Sequence, residues 1–117
     1  MPFGEYLPWR PVIEGWWEQF RSIRRDVLPG SDQGPMEIGG VIVANAICFD
    51  IAYDAVVVRQ VQDGAQVVVV QASNATFFGT SRLEQQLRIT RIRAVVSGRT
   101  VVVAALNGLT AVIGRDG

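Results

Sequence analysis

Short apolar runs, each about the length of one β-strand, constrain the fold of this chain more than any other feature. Val41–Phe49 is rich in valine and isoleucine, Gln66–Gln71 holds four consecutive valines, and Val101–Ala105 is apolar throughout. The second and third runs are apolar on both faces, as expected of buried strands, and the second is predicted to be parallel to its neighbours. Helical stretches alternate with the runs, so the sequence predicts an α/β fold.

The first two helical stretches are marked by apolar spacing and by their end residues. Val12, Trp16 and Phe20 recur at helical spacing, which predicts a helix over about 11–25. Asp54 is predicted to cap a second helix of about nine residues, and Gly64 to end it.

The third helix is predicted over about 82–97. Ser81 and Glu84 have the spacing of a capping box, and Gly98 is placed to end the helix. Its apolar side is predicted to consist of five residues, Leu83, Leu87, Ile92, Val95 and Val96. After the strand at 101–105, Asn107-Gly108 predicts a hairpin turn into an antiparallel strand at 110–113.

Composition excludes several function classes. The chain of 117 residues has no histidine, so neither a Ser-His-Asp triad nor a Cys-His pair can form, and the commonest metal ligand is missing. The formal net charge is zero and no basic stripe is present, which argues against a nucleic-acid partner. No signal peptide is visible, and no apolar run is long enough to cross a bilayer.

Cys48 is the single cysteine, so it has no internal disulfide partner. A lone cysteine is most often a small buried apolar residue. Its place at the end of a predicted strand and just before a predicted helix would instead put a thiol at the edge of a sheet. Both interpretations are compatible with its residue type and position.

Several segments together resemble one family. The stretches PFGEY at 2–6, ICFD at 47–50, QASNATFFG at 71–79 and the long segment 89–117 are similar, in this order, to segments of the apolipoprotein N-acyltransferases, within the nitrilase or carbon–nitrogen hydrolase superfamily. The resemblance implies the later part of a nitrilase-like α-β-β-α sandwich, a mixed sheet with flanking helices. We expect residues 1–117 to form a single partial domain, without the membrane helices and first half of the intact protein.

The resemblance also implies a chemistry. In that family a cysteine thiolate takes an acyl chain from a phospholipid as a thioester and passes it to the N-terminal amine of a lipid-modified apolipoprotein, at the extracytoplasmic face of the bacterial cell membrane. No cofactor or metal is implied. Cys48 matches the nucleophile, and Glu5 matches a supporting carboxylate.

Four further residues are candidates for the substrate site by the same resemblance: Phe49, Asp50, Asn74 and Phe78. Phe49 and Asp50 stand where many members have Tyr and Glu. Asn107 and Gly108 match a hairpin motif and are expected to do no more than form a tight turn. The family's catalytic Lys and Glu precede the matched segments, so this chain alone is expected to be inactive.

The tryptophans of the first segment allow two interpretations. Trp9, Trp16 and Trp17 lie near several arginines, and such a helix can rest in a membrane interface. The same aromatic face can equally pack against a sheet.

Two other functions stay open from the sequence: a truncated, non-catalytic remnant, or a nitrilase-branch amidase that hydrolyses a small amide. In either case part of a sandwich leaves a sheet face and strand edges without cover, so self-association of the chain is expected.

Overall fold

The computed structural model describes residues 7–16, 26–27, 30–32, 34–75 and 79–117 of the chain. By its internal contacts the chain divides into two compact units, Met1–Asp32 and Gln33–Gly117. Each unit is described by itself below.

The first unit contains helix α1, Arg10–Trp16. The Asp26 carboxylate accepts hydrogen bonds from the Leu7 backbone N–H at 2.8 Å and from the Arg10 guanidinium at 2.6 and 3.0 Å. These contacts, with the Arg10 hydrogen bond foremost, lower the pKa of Asp26 below its ordinary value. The helix was expected over 11–25; α1 agrees at its start, and residues 17–25 lie outside the described residues.

The second unit is an α/β structure with a mixed sheet. In chain order its elements are β1 (Met36–Ile38), β2 (Val41–Ile47), a 3₁₀ helix (Cys48–Ala52), α2 (Asp54–Gln62), β3 (Val67–Ala72), α3 (Arg82–Ser97), β4 (Thr100–Ala105) and β5 (Ala111–Ile113). The predicted strands and helices of this region are confirmed to within about two residues, whereas β1 and the 3₁₀ helix were not predicted.

The five strands lie side by side in chain order, β1-β2-β3-β4-β5. The three central strands are parallel, and both outer strands are antiparallel to their neighbours. The predicted parallel pairing of β3 and the antiparallel pairing of the last two strands are therefore confirmed. In the register Ala46 is opposite Val70, and Val70 is opposite Val103. The carboxyl ends of β2, β3 and β4 consequently meet at one edge of the sheet.

The core lies between one face of this sheet and the helices α2 and α3. Ala44, Val68 and Val101 are neighbours in the register and are fully buried. Val57 of α2 and Ala94 of α3 are fully buried in the same cluster. Burying a single valine side chain stabilises a fold by about 1.5–3 kcal/mol, so this layer is the main source of stability in the unit.

The other face of the sheet is covered unevenly: Val43 is buried, whereas Ile47 and Val112 are exposed. Its rows include Asn45, Val69, Val102 and Val112, which are neighbours in the register. Val112 is 75% exposed, and Ile47 on the same face is 59% exposed. Asn45, Val69 and Val102 are half-buried, so the expected exposure of a sheet face is found in part only.

Helix α3 turns a different side toward the core than its apolar residues predicted. Ile92, Val95 and Val96 are exposed, while Thr90 and Arg93 are buried. The buried side follows the spacing Leu83, Gln86, Leu87, Thr90, Arg93 and Ala94, with half-buried residues in its first two turns. The prediction was wrong for the last turn because a threonine and an arginine, both satisfied by hydrogen bonds, occupy the inward positions.

The ends of the helices also correct the sequence predictions. Ser81 has helical backbone angles and makes no capping hydrogen bond through its side chain, so the predicted capping box is absent. Asp54 is the first residue of α2, and Tyr53 occupies the cap position. Gly98 has φ +61° at the end of α3, as predicted for a helix-ending glycine.

None of the helices in the ranges that the structure describes is long and apolar enough to cross a membrane.

Candidate functional site

Cys48 follows β2 directly and begins the 3₁₀ helix, so its thiol lies at the sheet edge where the carboxyl ends of β2, β3 and β4 meet. The residue is neither fully buried nor fully exposed, and the thiol forms no disulfide. In parallel α/β sheets this edge is the ordinary place for a ligand site. The position differs from that of a cysteine enclosed in the core.

The backbone at Cys48 lies in the left-handed region, with φ +53°. A residue with a Cβ atom pays about 1–2 kcal/mol for this conformation, and such strained residues cluster at functional sites. Immediately before it, Ile47 is extended, with φ −104° and ψ 117°. The chain therefore reverses abruptly at the thiol-bearing residue, between a strand and a helical turn.

Two side chains from other elements surround this turn. The Gln86 amide of α3 donates a hydrogen bond to the Cys48 carbonyl at 3.2 Å. The other end of the same amide accepts a hydrogen bond from Asn74 Nδ2 at 2.9 Å. Asn74 is only 4% exposed and follows β3. A continuous chain of hydrogen bonds thus joins the Cys48 carbonyl to the loop after β3.

The loop between β4 and β5 extends this contact. The Asn74 backbone N–H donates to the Asn107 carbonyl at 3.2 Å. A Cβ atom on Gly108, where φ is +118°, would lie 3.2 Å from Asn74 Nδ2 and 3.3 Å from Leu83 Cδ2. Asn107 and Gly108 thus lie in the predicted connection between antiparallel strands, and both also contact the Asn74 region. The connection spans residues 106–110, and its glycine allows close approach to Asn74.

Arg93 of α3 holds the other end of the 3₁₀ helix. Its guanidinium donates to the carbonyls of Ile51 and Ala52, each at 3.0 Å, and forms an ion pair with Asp54. Arg93 is 8% exposed, so these hydrogen bonds satisfy a buried charge. Gln86 and Arg93 together anchor the turn at its first and last residues.

Two of the predicted substrate-site residues belong to the turn itself. The Phe49 ring is 45% exposed and contacts the Tyr53 ring edge to face, with 6.3 Å between the centroids. Asp50 Oδ2 accepts the Ile47 backbone N–H at 3.3 Å, so this carboxylate stabilises the start of the 3₁₀ helix. Asp50 is half-buried.

The structure therefore brings four predicted residues, Cys48, Phe49, Asp50 and Asn74, to one sheet edge. Glu5, Phe78 and Trp17 lie outside the described residues. Trp9 is 78% exposed in the first unit. The residues that the structure does describe contain no cluster of acidic and cysteine side chains able to hold a metal ion.

Sequence reasoning missed Gln86 and Arg93. The position of Arg93 carried a signal, because it falls on the same helical side as Leu87 and Ala94. Gln86 carried a similar signal, because it lies three residues after Leu83, whereas the exposed Gln85 falls on the opposite side of the helix. The carbonyl that the Gln86 amide binds is set by the packing of α3 against the turn.

Curated relatives match the chain along its whole length. It is 38% identical over 119 aligned residues to an apolipoprotein N-acyltransferase of Mycolicibacterium smegmatis, covering 99% of this chain and 19% of that protein. It is 33% identical to the apolipoprotein N-acyltransferase of Nitrosomonas europaea, covering 100% of this chain and 24% of that protein. The chain thus spans about a fifth to a quarter of the length of these relatives. No protein-family model matches it.

Solved structures share the fold. A carbon–nitrogen hydrolase from Helicobacter pylori G27 superposes with a TM-score of 0.65 at 14% identity, covering 88% of this chain and 42% of that one. An amidase from Nesterenkonia sp. superposes with a TM-score of 0.60 at 26% identity, covering 80% of this chain and 38% of that one. The predicted nitrilase-like fold class is confirmed.

Proposed function

Because this chain is related along its whole length to part of the apolipoprotein N-acyltransferases, we propose that it is the nucleophile-bearing portion of such an enzyme. The 38% identity to the Mycolicibacterium relative over the full chain is the observation that carries the proposal. Cys48 is the proposed nucleophile. Its location in a left-handed turn at the carboxyl edge of the sheet supports this role.

The proposed reaction has two acyl transfers. A general base removes the Cys48 thiol proton, and the thiolate attacks an ester carbonyl of a phospholipid to form a thioester C–S bond. The ester C–O bond breaks, and the lysophospholipid leaves as an alcohol after taking that proton back from the protonated base. The thioester carbonyl is then attacked by the N-terminal amine of a lipid-modified apolipoprotein. An amide bond forms, the amine loses a proton to a base, and the thiolate is restored.

We propose two roles for the residues around Cys48: some hold the turn in place, and others contact the substrate. The Asn74 side chain hydrogen-bonds Gln86, and the Asp50 carboxylate accepts a hydrogen bond within the turn. These contacts favour a supporting role for both residues. Phe49 is exposed beside the thiol and is proposed to contact the substrate. Phe78 as a second contact and Glu5 as a supporting carboxylate are proposed from the family resemblance alone.

The chain is proposed to need the remainder of an enzyme. The family's triad also includes a Lys and a Glu that precede the segments matched here, and this sequence has no lysine at all. A thiolate without its base and its oxyanion donor loses most of the rate acceleration. We therefore propose that these 117 residues alone do not catalyse the reaction.

The proposed location is the extracytoplasmic face of a bacterial cell membrane, as the family resemblance implies. Trp9 is exposed in the first unit, which is compatible with contact to a membrane interface. For Trp16 and Trp17 the same contact is proposed from the sequence alone. Flotation of residues 1–30 with anionic liposomes tests this part of the proposal. Failure of the peptide to float with the vesicles would contradict it.

A chimera tests the acyltransferase proposal. The aligned segment of the Mycolicibacterium enzyme is replaced by this chain, and N-acylation of a reporter lipoprotein is followed in a strain depleted of its own enzyme. We expect acylation by the chimera, a hydroxylamine-labile acyl adduct on Cys48 by mass spectrometry, and neither in the Cys48→Ala chimera. Equal acylation with and without Cys48 would contradict the proposal.

A nitrilase-branch amidase is the second candidate. It is favoured by the structural likeness to the Nesterenkonia amidase, a variant of which carries the acetamide moiety of fluoroacetamide bound at its active-site cysteine. Ammonia release from small aliphatic amides by the chimera, without lipoprotein acylation, would support this candidate. A folded chimera with neither activity would support a non-catalytic remnant.

A further inference from the structure

Gln86 is the one side chain in the described part of the unit that hydrogen-bonds both the Cys48 peptide carbonyl and the loop after β3. It belongs to the second turn of α3, and 38 residues separate it from Cys48. We propose that Gln86 is a positioning residue, which fixes the left-handed turn of Cys48 and ties it to Asn74. The proposal rests on the proposed function of Cys48 as the nucleophile.

The strain at Cys48 explains why such a residue is needed. A left-handed residue with a Cβ atom persists only when surrounding groups hold it. On one side of Cys48, the Asp50 carboxylate accepts the Ile47 backbone N–H at 3.3 Å. On the other, Gln86 donates to the Cys48 carbonyl at 3.2 Å. The orientation of this carbonyl sets the direction of the peptide bond between Cys48 and Phe49, and therefore fixes the backbone angle ψ of Cys48.

The Asn74 contact fixes the orientation of the Gln86 amide. Asn74 Nδ2 is a donor and therefore requires the oxygen end of the Gln86 amide, at 2.9 Å. The nitrogen end is then left for the Cys48 carbonyl. Asn74 is itself held by its backbone bond to the Asn107 carbonyl and by the close approach of Gly108. The amide cannot flip without breaking both hydrogen bonds.

Consequently the thiol turn and the loops after β3 and β4 are expected to move together. A change at Asn74 is expected to reach Cys48 through Gln86, which is hydrogen-bonded to both residues.

Alkylation of the thiol in the full chain tests this role without requiring catalysis. Iodoacetamide reacts with Cys48 in the wild type, in Gln86→Leu and in Gln85→Leu, and the rate is followed by intact mass. We expect Gln86→Leu to react about fivefold faster, the factor that one ordinary hydrogen bond contributes, because the half-buried thiol gains freedom. Gln85→Leu is the matched control, since Gln85 is the exposed neighbour with the same amide, and it is expected to react like the wild type.

Two further readouts separate positioning from a general loss of stability. The carbonyl ¹³C shift of Cys48 is expected to move upfield in Gln86→Leu and to stay in place in Gln85→Leu. The faster alkylation is expected to be independent of urea below the unfolding transition, as for a local opening. An increase of the rate with urea would assign the effect to global unfolding and overturn the proposal.

A double variant tests the link to Asn74. Asn74→Ala is expected to raise the alkylation rate by itself but to add nothing in the Gln86→Leu background. Additive effects would overturn the relay. An unchanged Cys48 carbonyl shift in Gln86→Leu would overturn the positioning role while leaving the chimera result, and the proposed function, intact. Conversely, an inactive chimera with the expected alkylation pattern would contradict the proposed function and leave the positioning role of Gln86 intact.

Discussion

Cys48 is the residue at which the backbone conformation and the side chain make opposite demands. A φ of +53° is suited to glycine, whereas the proposed chemistry needs a thiol on a Cβ atom. The hydrogen bonds of the turn must compensate for the strain. The left-handed backbone thus lowers stability at a half-buried thiol, and such strain is common at functional sites.

This strain predicts that, at position 48, a glycine variant is more stable than an alanine variant, the reverse of their usual order. Both Cys48→Ala and Cys48→Gly remove the thiol, but only glycine relieves the left-handed backbone. We expect Cys48→Gly to be about 1 kcal/mol more stable than Cys48→Ala, after the greater chain entropy of glycine is deducted. Urea denaturation measures the difference. A more stable alanine variant would show that position 48 is not left-handed in solution.

Arg93 is the second residue whose replacement has a predicted effect on stability. Arg93→Met removes the hydrogen bonds to the carbonyls of Ile51 and Ala52, and we expect it to lower the free energy of unfolding by about 2–3 kcal/mol. The ion pair adds little to this figure, because the Asp54 side chain is 79% exposed.

The neighbouring Arg91→Met supplies the control for this loss. Arg91 is exposed on the same helix, and its replacement is expected to stay within about 0.5 kcal/mol of the wild type. Thermal or urea unfolding of both variants makes the comparison. Equal losses would mean that α3 requires charge in general and not the contacts of Arg93.

At the scale of elements, the connection between β4 and β5 is shaped by what it touches. Its length, residues 106–110, exceeds that of a two-residue hairpin. Gly108 has φ +118° and lies against Asn74 and Leu83, so a side chain there meets both strain and collision. The loop therefore belongs to the same packed unit as the start of α3.

Two glycine substitutions separate these effects. Gly39, with φ +58°, has no atom within 4 Å of an added Cβ, so Gly39→Ala is expected to cost only the strain, about 1 kcal/mol. Gly108→Ala adds the collision, and we expect a loss of about 2–3 kcal/mol. Urea denaturation of the two variants measures the difference. A Gly108→Ala loss no larger than that of Gly39→Ala would contradict the close packing.

The elements also show how much of the fold can be predicted from the sequence. The runs at 41–49, 66–71 and 101–105 predicted three strands, and 66–71 was predicted to be parallel because its residues are apolar on both faces. The last turn of α3 was misjudged because an arginine takes an inward position there, and a buried arginine is recognisable only from the carbonyls that it contacts. The short strand β1 has only three residues, all exposed, so no apolar pattern marks it.

The candidate site was predictable in part for the same reason. Motif resemblance selected Cys48, Phe49, Asp50 and Asn74, and the structure brings all four to one edge of the sheet. The hydrogen bonds that hold them were not predictable. They depend on which carbonyl the Gln86 amide reaches, and on a left-handed backbone at a residue that is not glycine.

At the scale of the whole molecule, the exposed apolar residues on the sheet face opposite the helices are the feature with the clearest consequence. Val112 is 75% exposed in the edge strand β5. An apolar face that ends in an unprotected edge promotes association. We expect the isolated chain to form oligomers in a concentration-dependent way.

Val112→Lys tests this surface. We expect the substitution to weaken self-association about tenfold or more, because one valine is removed from the contact. Val96→Lys adds the same charge on the exposed side of α3 and serves as the control, with a smaller effect expected. Sedimentation velocity over a range of concentrations measures both. A monodisperse monomer for the unmodified chain would contradict the expectation.

The separation of Cys48 from Gln86 along the chain also sets an order of events during synthesis. The cysteine leaves the ribosome 38 residues before the glutamine that holds its carbonyl. Until α3 has been made, the strained turn has no amide to hold it, although β2 and β3 can already pair. Thiol labelling of stalled nascent chains should therefore show fast reaction at Cys48 that slows once α3 has emerged. The proposed nucleophile is among the first parts of the site to be translated, and its backbone is fixed only after the later parts arrive.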